Sequence, residues 1–176
     1  MDLDLATQKK LADIQAAATP ILQQLRVRNE TAKASALRAA ASEFKAHFEK
    51  EGFLVVGGYP ARMTAKYQHL EFVLEFDEQE RAYYWAILKL QQTNPKKPET
   101  KVALVRKGSK GPRVTTRIGR PDPIADAEAR LAEAQEALDG PGIEFDFQIE
   151  ASVNGSNARA VKNYASLRDV LLEHYK

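Results

Sequence analysis

The chain has 176 residues, no cysteine, a formal net charge of +2 and an ordinary globular share of apolar residues. That length holds one sizeable core with a helical appendage, and the lack of thiols excludes disulfides, thiolate catalysis and cysteine-based zinc or iron–sulfur sites. No stretch approaches the roughly 20 consecutive apolar residues that cross a bilayer, and the opening MDLDLATQKK lacks the apolar core of a secretory signal, so the composition points to the cytoplasm.

Residues 5–51 read as helix. Leu11, Ile14, Ala18, Ile21 and Leu25 recur at alternating spacings of three and four, the seam of an amphipathic helix or short coiled coil. Thr19-Pro20 crosses that seam as a kink or a fresh helix start, because threonine caps helices and proline suits their first position. A second stripe runs through Leu37, Ala41, Phe44 and Phe48 and stops at Gly52. The polar stretch from Arg26 to Thr31 separates the two stripes. The segment is therefore a hairpin or one kinked long helix. A continuous helix would reach about 70 Å at 1.5 Å per residue, which points to the hairpin.

From Phe53 the period changes to two. Phe53 to Val56 forms a short strand ended by Gly57-Gly58, and Leu70, Phe72, Leu74 and Phe76 alternate with polar neighbours. Asp77 to Glu80 supplies a turn, and residues 82–90 return as the next strand. Residues 91–100 read as an exposed loop. Lys101 to Lys107 and Arg113 to Ile118 read as a hairpin around a Gly-flanked tip. Asp122-Pro123 opens a helix whose seam is Ile124, Ala127, Leu131, Ala134 and Leu138, closed by Asp139 to Gly142. Ile143 to Glu150 alternates strictly, and Ser166 to Asp169 starts a terminal helix with buried Leu167, Val170, Leu171 and Tyr175. The fold class is α+β: an N-terminal helical element over residues 1–52, then a mostly antiparallel sheet domain over 53–176 with one inserted and one C-terminal helix, the two parts forming one compact unit.

Charge is sorted along the second half. Residues 92–120 carry nine cations against Glu99, and residues 121–150 carry nine anions against Arg130. The basic hairpin is the leading binding candidate, through Lys107, Lys110, Arg113 and Arg117 with Lys101, Lys96 and Lys97. Phosphates require charge and donors but little fixed geometry, which a cationic hairpin tip supplies. The competing outcome is internal. If the acidic strand 143–150 pairs beside the basic one, cross-strand ion pairs of about 0.2–1 kcal/mol each absorb much of the field. The tip residues Lys107, Lys110 and Arg113 are expected to escape that pairing.

Tyr83 and Trp85 share a strand face in this reading, where they either stack bases or pack under the N-terminal helices. The seam residues Leu11, Ile14, Ile21 and Leu25 either dock within the chain or meet a second copy in a homodimer. His47, His69 and His174 belong to no metal motif, and no phosphate loop or nucleophile elbow is present, so no cofactor, metal or catalytic residue is assigned. The expected function is that of a small non-enzymatic binding protein contacting nucleic-acid phosphates through the basic hairpin. The alternative is a protein–protein interaction module, an adaptor, inhibitor or assembly subunit, that uses the N-terminal helices and the opposed charge blocks.

Overall fold

A computed structural model describes residues 4–81, 83–108, 122–152 and 159–175. In chain order the elements are α1 (Leu5–Lys50), β1 (Leu54–Val56), β2 (Met63–Tyr67), β3 (Leu70–Asp77), β4 (Ala86–Asn94), β5 (Thr100–Arg106), α2 (Pro123–Asp139), β6 (Phe145–Ser152), β7 (Arg159–Tyr164) and α3 (Leu167–His174). The chain is α+β. It divides into two compact units, one of Lys33–Pro112 with Glu144–Lys176, the other of Met1–Ala32 with Arg113–Ile143.

The first of these units is a seven-stranded meander in which every strand pairs antiparallel with its sequence neighbours. The period-two pattern sets its faces. Ala65, Phe72, Leu74, Ala86, Leu88, Leu90, Val102, Leu104, Phe147 and Ile149 form the core face. Leu37, Ala40, Ala41, Phe44 and Phe48 of α1, spaced for one helical face, join them together with Leu167, Val170 and Leu171 of α3. The other face carries Lys66, Glu71, Glu75, Lys89 and Lys101, with Val73, Ile87 and Val105 buried between long polar side chains. Arg62–Glu75, Lys66–Glu71 and Lys89–Asp77 ion pairs span that face at 3.6, 2.8 and 3.4 Å.

Both later helices start as the sequence predicts. The Asp122 side chain accepts from the amides of Ile124 and Ala125 at 3.0 and 3.3 Å, with Pro123 next in line. Ser166 Oγ accepts from the Asp169 amide at 3.2 Å, and Leu167, Val170 and Leu171 are buried.

The N-terminal segment is one helix, not the hairpin that its length suggested. Pro20 lies inside it. Thr19 does not cap; its hydroxyl turns back to donate to the Gln15 carbonyl at 2.8 Å. Within its own unit, the polar stretch taken for a turn has a partner. Arg28 donates to the carbonyls of Ala137, Leu138 and Gly140 at 2.5, 2.9 and 3.2 Å, satisfying acceptors at the C-terminal end of α2. Two strands, β2 and β7, were not anticipated. The predicted strand 113–118 lies outside the described residues, while the edges of β5 are taken by β4 over Thr100–Leu104 and by β6 over Ala103–Arg106.

Candidate functional site

The acidic strand lies directly beside the basic one. Ala103 is in register with Gln148, Val105 with Asp146 and Arg106 with Phe145. Just beyond the last pair, Lys107 donates its amide to the Glu144 carbonyl at 2.9 Å and its ammonium to Glu144 Oε2 at 3.1 Å. This hydrogen bond, then the Glu144 charge and then that of Asp146, raise the Lys107 pKa above its ordinary value. Lys107 is thus engaged by the acidic block, contrary to the expectation for a tip residue. Both partners are largely exposed, so the contact adds little stability. Lys110, Arg113 and Arg117 lie outside the described residues.

Among the described residues, four other cations of the tract carry no ion pair: Lys96 and Lys97 in the β4–β5 connection, and Lys101 and Arg106 on β5. Lys101 sits in register with Lys89, placing two like charges side by side on the open face of the sheet. Such a pair is mutually repulsive and attracts a shared anion. Lys89 is partly satisfied by Asp77 at 3.4 Å.

Tyr83 and Trp85 do not share a strand face, because β4 begins only at Ala86. They lie in a tight reversal held by reciprocal Arg81–Tyr84 backbone bonds of 3.1 and 3.2 Å. The Trp85 ring packs edge-on against Phe145 at 5.4 Å and is half-buried, whereas Tyr83 is 57% exposed. Of the two, only Tyr83 presents an open ring. The core face runs instead through Ala86, Leu88 and Leu90, one residue out of the expected phase. Tyr84, between them, donates to Glu150 Oε1 at 2.5 Å.

The helical seam meets α2 within its own unit. Leu11, Ile14, Ala18, Leu22 and Leu25 line one side of an apolar groove, and Ala127, Leu131 and Ala134 line the other. Leu11, Ile14, Ala18, Ile21 and Leu25 are the half-buried positions along this stretch, while Leu22 is exposed. Lys10 and Glu128 close one end with a 2.9 Å ion pair. Arg28 holds the other end through the α2 carbonyls described above, so the two helices run in the same direction. The packing is thin. Ala134 is the one buried apolar side chain among the described residues of this unit, while Leu22 and Val27 are 54% and 57% exposed.

Two of the three histidines have structural partners: His47 Nε2 lies 3.1 Å from the Tyr175 carbonyl, and His174 Nε2 lies 3.2 Å from the Tyr164 hydroxyl. Among the described residues no group of three or more potential metal ligands comes together, and no helix is long and apolar enough to cross a membrane. Comparison with profiles of known families, with curated proteins and with solved structures yields no match.

Proposed function

We propose that the chain is a non-enzymatic protein–protein interaction module whose contact surface is the groove between the first part of α1 and α2, and that the occupant is a second copy of the chain. The observation that carries this reading is the thin packing of that helix pair. Among the described residues, two helices with facing apolar seams bury a single side chain, Ala134, and leave Leu22 and Val27 in solvent. Charge favours a like partner. Residues 5–32 hold four cations and two anions, whereas α2 holds five anions and one cation. A two-fold contact sets α1 of each copy against α2 of the other, pairing opposite charge while it completes a four-helix core.

Sedimentation velocity over a concentration series tests the proposal. The full-length protein is expected to dimerise at or below about 10 µM. Leu22→Glu should weaken the dimer by at least about 10-fold without changing the helical signal, because Leu22 is exposed in the single chain. A monomer persisting to about 100 µM, or a dimer indifferent to Leu22→Glu, overturns the reading.

A second reading rests on the four unpaired cations. Lys96, Lys97, Lys101 and Arg106, joined by Lys107, Lys110, Arg113 and Arg117 from the same tract, contact the phosphates of a nucleic acid. Binding of a fluorescent single-stranded oligonucleotide should then weaken steeply with salt. It should also be lost on combined replacement of Lys96, Lys101 and Arg106 by glutamate. Affinity that survives this change removes the reading.

A further inference from the structure

At the end of the sheet where α1 stops, a pocket of about 580 Å³ opens between the C-terminal end of α1, strands β2 to β4 and the C-terminal end of α3. That volume falls within the range of small-molecule sites. Its walls are aromatic. The Phe48 ring packs on Phe72 at 4.8 Å and on Phe53 at 5.2 Å, and Tyr175 meets Phe72 edge-on at 5.7 Å. Phe48 and Phe72 are buried in these contacts, so the more open Phe53, Tyr67 and Leu70 form the accessible wall.

One side chain there is out of place for a core. Gln92 continues the inward-facing series of Ala86, Leu88 and Leu90, yet it is polar and only 4% exposed. Among the described residues its one side-chain hydrogen bond runs from Nε2 to the Asn94 carbonyl at a marginal 3.5 Å. A buried amide left this loosely bonded costs free energy that a bound polar group would recover. Beside it stands a cation. The Lys97 amide donates to the Gln92 backbone carbonyl at 3.0 Å, which places Lys97 at the pocket rim, and its ammonium has no ion pair.

We infer that this pocket binds a small aromatic carboxylate, with its ring laid against Phe53, Tyr67 and Leu70 and its carboxylate shared by Lys97 and the Gln92 amide. The ring supplies the apolar area and the two nitrogens supply orientation, the division found in most small-molecule sites. Glu51, exposed on the same rim, adds one negative charge. It selects against a polyanion such as a phosphate ester and leaves a monoanion acceptable.

Isothermal titration of the full chain with 2-naphthoate tests the assignment, with 2-naphthalenemethanol as its neutral counterpart and 2-naphthyl phosphate as its polyanionic one. Saturable one-to-one binding of 2-naphthoate is expected, at least about 10-fold tighter than either comparator. Lys97→Met should remove that preference over the alcohol while leaving the alcohol's own binding unchanged. Lys97 is exposed, so this variant tests recognition without threatening the fold. Gln92→Leu, which fills the same space, should weaken naphthoate and stabilise the unliganded protein. No saturable binding of 2-naphthoate, or a preference untouched by Lys97→Met, overturns the inference.

Discussion

Phe44 and Leu22 lie on the same helix and differ in what surrounds them, so truncating each separates helix formation from helix packing. Phe44 is fully buried, with its ring 4.7 Å from that of Phe48. Phe44→Ala removes a fully desolvated aromatic and leaves a cavity under the centre of the sheet. Such changes cost about 3–5 kcal/mol, of which an aromatic pair accounts for about 0.5–1.5 kcal/mol. With a urea dependence of about 2 kcal/mol per molar, the unfolding midpoint should fall by about 1.5–2.5 M. Leu22→Ala removes a side chain that is 54% exposed and improves helix propensity, so at a few micromolar its effect should stay within about 0.5 kcal/mol. Urea titrations followed by circular dichroism read both. A loss below about 1 kcal/mol for Phe44→Ala, or equal losses for the two variants, refutes the packing of α1 described here.

Gly57 has φ +90°, and a Cβ there would stand 2.2 Å from the Arg62 carbonyl oxygen, so Gly57→Ala should cost about 2 kcal/mol or more; Gly58→Ala, with open space around it, should be near neutral in the same titration. Lys101→Glu turns a repulsive pair with Lys89 into an attractive one and should raise stability by about 0.2–1 kcal/mol, read from the urea midpoint at low salt. The Asp77 carboxyl lies below its ordinary pKa of 3.8, chiefly through the Gln79 amide and, among charges, through Lys89. Its stabilising contribution is therefore complete above the ordinary carboxylate range and is lost as the pH falls through and below 3.8. Asp77→Asn should lower stability at pH 7 but leave it nearly unchanged at pH 2 relative to the parent chain.

Features set by neighbouring residues were legible in the sequence. Asp122-Pro123 and Ser166 announce helix starts because a cap needs only an acceptor two or three residues ahead of free amides. The alternation of Phe145, Phe147 and Ile149 with acidic residues marks a half-buried strand without outside help, and it raised the pairing with the basic strand as a definite alternative. What failed depended on partners distant in the chain. The continuity of α1 was hidden because Arg28 finds its acceptors at residues 137–140. Tyr83 to Trp85 were misphased because two frames of period two fit residues 82–90, and only burial at Ala86, Leu88 and Leu90 chooses between them. β7, reading Arg-Ala-Val-Lys-Asn-Tyr, carries too little apolar alternation to be recognised alone. Gln92 went unnoticed because residues 91–100 read as an exposed loop, whereas β4 runs on to Asn94 and buries it.

The register between Arg106 and Phe145 has a consequence for how the chain can be rebuilt. Facing residues on antiparallel strands have Cα atoms about 5 Å apart, so the 38-residue segment from 107 to 144 begins and ends at nearly one point of the sheet. Everything in that excursion, α2 included, is spliced into a meander that needs only a tight turn to join β5 to β6. The sheet can therefore host other inserts at this junction.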